Sequence, residues 1–181
     1  MTDPSTGTVP APRRSTSPPI LSVITPTFNE AQNLPVLIER IHTALAGVPH
    51  EIVVADDNSP DGTWRIAEEL AALDDSIVVL RRFHDHGLSA AVLDAMSAAR
   101  APYLAVIDAD LQHDPSILPD MLSCLRADKA DVVVGSRESE GAATESGACN
   151  GVPCHGWRRS SPGLPACSHR RSDERVLHVD P

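Results

Sequence analysis

Between residues 20 and 141, short apolar runs alternate with segments of helical periodicity, and each apolar run ends in polar, mostly acidic residues. No other feature restricts the fold as tightly. The runs at 20–25 (ILSVIT), 51–55 (EIVVA), 77–80, 103–107 and 131–134 read as strands. Between them, 31–46 repeats Leu34, Leu37, Ile38, Ile41 and Leu45 at helical spacing, and Trp64 to Leu73, 88–99 and 116–127 carry three more such patterns. Strand–helix alternation with short connections predicts βαβ units: an α/β chain with an open, mostly parallel, Rossmann-like sheet and helices on both faces. The strands are nearly all apolar, as strands covered on both faces must be. In such sheets the ligand lies beyond the carboxyl ends of the strands.

The flanks differ from this middle. Residues 1–19 hold Pro4, Pro10, Pro12, Pro18 and Pro19 among Ser and Thr, and read as a disordered leader. No apolar stretch follows Arg13-Arg14, so a signal peptide is not expected. Residues 20–141 form the ligand-binding domain. Residues 142–181, with Cys149, Cys154, His155, Cys167 and His169, have no period of 2 or 3.6 and read as an atypical, disordered tail. Their spacing does not match paired zinc knuckles. Cys124, inside a helical pattern, reads as a small buried hydrophobe.

Charge limits the partners. The chain of 181 residues has 25 acidic and 15 basic side chains, a net charge of −10, which argues against a nucleic-acid face. No apolar run approaches the roughly 18 residues that a transmembrane segment needs. An acidic protein that handles anions needs a cation between, which points to a metal.

The strand ends supply candidates. After the first comes Pro26-Thr27-Phe28-Asn29-Glu30, and after the second Asp56-Asp57-Asn58-Ser59-Pro60-Asp61-Gly62. Arg81-Arg82-Phe83-His84-Asp85-His86-Gly87 follow the third, Asp108-Ala109-Asp110-Leu111-Gln112-His113-Asp114 the fourth, and Gly135-Ser136-Arg137 the fifth. In extended chain, residues two apart point to the same side, so Asp108 and Asp110 should converge, with Gln112 adding a neutral oxygen. At about 4 Å two carboxylates repel by roughly 4 kcal/mol at an effective dielectric of 20, and a divalent cation reverses that sign. Oxygen-only ligands select Mg²⁺ or Mn²⁺, which complete their shell with phosphate oxygens and water. Asp56 and Asp57 are not explained by a helix start, and a carboxylate there can accept hydrogen bonds from a nucleobase or ribose; Arg137 is placed to clamp a phosphate. Ser59-Pro60-Asp61 and Asp114-Pro115 read as helix starts. There is no G-x-G-x-x-G and no G-x4-G-K-[ST], so dinucleotide and P-loop readings fail, and no lysine ends the last strand as a phosphoacceptor receiver would require.

The segments VITPTFNEAQNL, EIVVADDNSPDGT, GLSAAVLDAM, VIDADLQHDP and VVVGSR, in that order, resemble family-2 glycosyltransferases of the GT-A fold. Within that family they are most similar to dolichol-phosphate (polyprenol-phosphate) mannose synthases. The resemblance covers residues 20–137, and the chain reads as truncated or altered after residue 141, with the fold incomplete on its C-terminal side. It implies a metal-dependent, inverting transfer of mannose from GDP-mannose to a polyprenyl phosphate, in the cytoplasm or at the cytoplasmic membrane face. It also implies a nucleotide pocket from Pro26, Phe28, Glu30, Ala55 and Asp57. Asp108, Ala109 and Asp110 would meet diphosphate and metal, Gln112 would be a further metal ligand, and Arg137 would contact phosphate. A nucleotide-binding portion without turnover, or a transferase using a UDP-sugar, are the alternatives. Asp85-His86 stands where the family has a basic residue before Gly-Leu.

Overall fold

The computed structural model describes residues 17–128 and 130–135 in full, together with two further backbone strands, 154–157 and 175–179. Strand β1 (Leu21–Thr27) leads through α1 (Leu34–Ala44) to β2 (His50–Asp56), then α2 (Thr63–Leu73), β3 (Ile77–Arg81), α3 (Leu88–Ala98) and β4 (Tyr103–Val106). A one-turn 3-10 helix (Pro115–Ile117) and α4 (Leu118–Arg126) precede β5 (Val132–Gly135), followed by β6 (Cys154–Trp157) and β7 (Arg175–Val179). The sheet order is β3-β2-β1-β4-β7-β5-β6, parallel except for β6, which pairs antiparallel with β5 at the edge.

The pleat divides the apolar residues between two cores. Leu21, Val23, Ile52, Val54, Ala105 and Ile107 face one side, where they pack with α1, α2 and α4 residues such as Leu37, Ile41, Ala67 and Met121. Ile24, Val53, Ala55, Leu104 and Val106 face the other and meet Ala91 and Ala95 of α3. The helix on that second face presents alanines, so it lies close against the sheet.

The element boundaries depart from the periodicity for local reasons. β1 runs on through Pro26, although proline is rare inside central strands. Pairing with β4 stops at Ile24, whereas pairing with β2 continues to Thr27, so at Pro26 only one neighbour is left to pair. α1 begins at Leu34 rather than 31 because Pro35 occupies its first turn. α2 begins at Thr63 after Gly62, whose φ of 87° only glycine adopts cheaply. The Ser59 helix start expected from Ser59-Pro60-Asp61 is therefore corrected. Asp61 instead accepts from the Thr63 N–H at 3.0 Å and the Thr63 hydroxyl at 2.6 Å. At Asp114-Pro115 the cap forms, with the Asp114 carboxylate accepting from the Ser116 N–H at 3.0 Å.

The tail also needs correction. Within 142–181, expected to carry no regular element, β7 inserts between β4 and β5 and β6 covers the outer edge of β5. Without β7 the facing edges of β4 and β5 would leave rows of backbone N–H and C=O groups unpaired. The leader through residue 16, Ser136, Arg137, Cys149, Cys167 and His169 lie outside the described residues. Cys124 is buried, as its apolar setting requires, and is also disulfide-bonded. Among the described residues no helix is long and apolar enough to cross a membrane.

Candidate functional site

Four successive strands deliver their loops to one edge of the sheet, and each loop holds one non-glycine residue at positive φ: Asn29 (φ 62°), Asn58 (54°), Asp85 (52°) and Leu111 (62°). Such backbone is costly for a leucine and persists only where surrounding contacts hold it.

Those contacts are specific. The N–H groups of Asn29, Glu30 and Ala31 donate in turn to Ser59 Oγ (3.0 Å), Thr63 Oγ1 (2.9 Å) and Asp61 Oδ2 (3.1 Å). The β1 loop is thus stitched to the β2 loop, and Phe28 projects from it 59% exposed. The adjacent Asp56 and Asp57 have different tasks. Asp56, fully buried, accepts from Thr27 Oγ1 (3.0 Å), the Ser59 N–H (2.9 Å) and Ser59 Oγ (2.6 Å), and so builds the turn. Asp57 accepts from the Gly87 N–H at 2.7 Å and from Arg82 Nη1 in an ion pair. Asp61, although exposed, is held below its ordinary pKa of 3.8. Burial raises it, but the hydrogen bonds from Thr63 and Ala31 together outweigh that.

A cavity of about 400 Å³ opens beside Asp57, lined by Pro26, Thr27, Phe28, Asp57, His86, Gly87, Leu88 and Ala91. Of the five residues assigned to a nucleotide pocket by resemblance, Pro26, Phe28 and Asp57 line it. Glu30 does not: its carboxylate accepts from Asn33 Nδ2 at 2.7 Å. Neither does Ala55, which is fully buried in the core under α3.

At the next loop, Ile107 is tied to β1 through its N–H to the Ile24 carbonyl (3.0 Å) and its carbonyl to Thr25 Oγ1 (2.9 Å). β4 has already ended at Val106, so Asp108 and Asp110 stand in a turn and the pleat argument for their convergence does not apply. What orients Asp110 is the Gln112 N–H, which donates to Oδ1 at 2.9 Å across the left-handed Leu111. The Asp110 side chain is 34% exposed, and His113 Nδ1 lies 3.6 Å from Oδ1. Asp108 is half-buried and, among the described residues, has no hydrogen-bond or ion-pair partner. Ala109 is buried between them. Gln112 is exposed and lines a second recess, about 630 Å³, between α1 and the 111–116 loop. Arg137 lies outside the described residues. No cluster of three or more His, Cys, Asp or Glu side chains suited to a metal occurs among the described residues. A half-buried carboxylate with no partner among the described residues, two positions before a second one, nevertheless fits a hard cation that takes two carboxylates and finishes its shell with phosphate and water.

Sequence reasoning missed Arg82. It is 6% exposed and donates through Nε to Asp94 (2.8 Å), through Nη2 to the Asp85 carbonyl (2.7 Å) and through Nη1 to Asp57. Burial would lower its pKa, but Asp94 and Asp57 hold it above the ordinary value. A pair of arginines inside an otherwise acidic strand-end series was the available signal. Arg81, its neighbour, instead lies over the Trp64 ring at 3.4 Å and donates to Asn58 Oδ1.

An open parallel sheet of this order, with an acidic carboxyl edge around a cavity, defines a GT-A type α/β domain. The chain belongs to glycosyl transferase family 2, whose family model matches residues 22–148. It is 42% identical over 126 residues to a dolichol-phosphate mannosyltransferase of Pyrococcus furiosus, covering 70% of this chain and 35% of that protein. It is 43% identical over 119 residues to a polyprenol monophosphomannose synthase of Mycolicibacterium smegmatis, covering 64% of this chain and 44% of that one. Among solved structures, a Pyrobaculum calidifontis mannosyltransferase in complex with GDP-Man and Mn²⁺ has the same fold, with a TM-score of 0.55 at 22% identity over 73% of this chain and 40% of that chain. The chain thus spans well under half the length of the relatives it matches.

Proposed function

We propose that this domain binds GDP-mannose and transfers mannose to a polyprenyl phosphate at the cytoplasmic face of a membrane. The observation that carries the reading is the delivery of Phe28, Asp57, Asp108 and Asp110 to one sheet edge, where Phe28 and Asp57 line a cavity of about 400 Å³. The names of the two relatives, each above 40% identical, supply mannose and the lipid phosphate. Phe28 offers a face for stacking and Asp57 accepts from the base. Asp108, Asp110 and Gln112 would hold Mg²⁺ or Mn²⁺, which when bound offsets the charge of the departing diphosphate.

The acceptor, a phosphate monoester with a second pKa near 6, is already a nucleophile at neutral pH. Its oxygen forms a bond to the anomeric carbon as the bond to the diphosphate oxygen breaks, so the configuration inverts and no catalytic base is required. The task of the chain is to hold donor and acceptor in line, and the resemblance assigns Arg137 a contact with phosphate. Incubation with GDP-mannose, a short polyprenyl phosphate and Mn²⁺ tests this. Mannosyl-phospholipid product, with GDP competing better than UDP, is expected. Nucleotide binding without product would leave this chain only the donor-binding part, and better competition by UDP would reassign the donor.

A further inference from the structure

Asp57 can select a nucleobase only if its carboxylate is held in one orientation, and both Arg82 and the Gly87 N–H bond it. Resting on the nucleotide reading of the Asp57 cavity, we infer that Arg82 is a positioning residue that fixes Asp57 as a paired acceptor for two adjacent N–H donors, so setting the preference for guanine over uracil.

The guanidinium bridges three segments that are distant in sequence: Asp57 after β2, the Asp85 carbonyl in the loop after β3, and Asp94 on α3. Its own N–H is tied to the Asp56 carbonyl at 2.8 Å, next to the residue it orients. On Asp57, Oδ1 receives Arg82 and Oδ2 receives the Gly87 N–H, one protein donor for each oxygen. A carboxylate has about four lone-pair sites, so each oxygen keeps one. Asp57 lines the cavity, its side chain 10% exposed, together with His86, whose Nδ1 lies 3.9 Å from Oδ1. Guanine presents two neighbouring donors, N1–H and the N2 amino group, which match the pair of sites left on the carboxylate. Uracil presents one donor flanked by two carbonyls, which leaves an acceptor unmet and sets oxygen against oxygen. A site built to hydrogen-bond a donor rejects the analogue that lacks it. Were the carboxylate free to rotate, that difference would shrink.

The test measures dissociation constants for GDP and UDP by calorimetry on the full chain, in the presence of Mn²⁺. Arg82→Lys keeps the charge and removes the planar fork, and Asp94→Asn loosens its exposed outer anchor. The wild type is expected to prefer GDP. Arg82→Lys should cut the GDP-to-UDP ratio by about ten-fold, the worth of one charge-assisted hydrogen bond, and Asp94→Asn should cut it less, in the same direction. A purely structural role would lower the unfolding temperature and leave the ratio alone, so an unchanged ratio in Arg82→Lys overturns the assignment. Should that variant fail to fold, an unchanged ratio in Asp94→Asn does so. A wild type that binds neither nucleotide, or does not prefer GDP, overturns the reading of the cavity and the assignment with it.

Discussion

Asp61 accepts from Thr63 and from the Ala31 N–H, joining the start of α2 to the β1 loop through one exposed carboxylate. Because its folded pKa lies below the unfolded value, its contribution to stability is fully present above the ordinary 3.8 and is lost as pH falls through the folded value. Asp61→Asn is expected to destabilise by up to about 1 kcal/mol at neutral pH. The gap from wild type should close on acidification, as read from urea midpoints at a series of pH values. Asp56 and Asp57 show the limit of sequence reading at this scale. They are neighbours of the same type, and only the fold makes one a buried turn-builder and the other a cavity wall. Arg82 was hidden for a related reason: its carboxylate partners lie 25 and 12 positions away, beyond the reach of any local motif.

Among the described residues α3 covers the second face of the sheet, and its fully buried contacts there are Ala91 and Ala95. There is no slack for a larger side chain, so Ala95→Leu should destabilise by about 1–3 kcal/mol, measured by chemical denaturation. The effect reaches the site because Gly87, at the head of the same helix, donates to Asp57. The alternation of β1 to β5 with α1 to α4 was legible because apolar runs with period 2 on both faces and stripes at 3.6 differ plainly. Boundaries were less legible, because they depend on single residues: Pro35 starts α1, Gly62 starts α2, and pairing with β4 stops before Pro26. The convergence argued for Asp108 and Asp110 assumed that β4 continues, but the chain turns after Val106 and hydrogen bonding within the turn orients Asp110 instead. Glu51, read only as part of an apolar strand, is 1% exposed and is held by Ser22 Oγ at 2.6 Å and Arg100 Nε at 2.7 Å. Nothing in EIVVA announces partners so far along the chain.

At the scale of the whole sheet, the last strand in the chain is not last in space. β7 sits between β4 and β5, so residues 175–179 close a gap that the preceding elements leave open. A chain ending at residue 174 is expected to unfold at a lower temperature and to self-associate, as scanned calorimetry and size-exclusion chromatography would register. This insertion was not legible, because five residues with mixed polarity carry no periodic signal and their pairing is set by the edges they fill. The central claim for the molecule is that Asp108 and Asp110 hold a divalent cation against the donor diphosphate. Calorimetric titration of GDP-mannose with and without Mn²⁺, in wild type and in Asp110→Asn, tests it most directly. The account predicts that Mn²⁺ tightens binding to the wild type and that Asp110→Asn removes this gain while metal-free binding persists. Equal tightening by Mn²⁺ in the variant would contradict it.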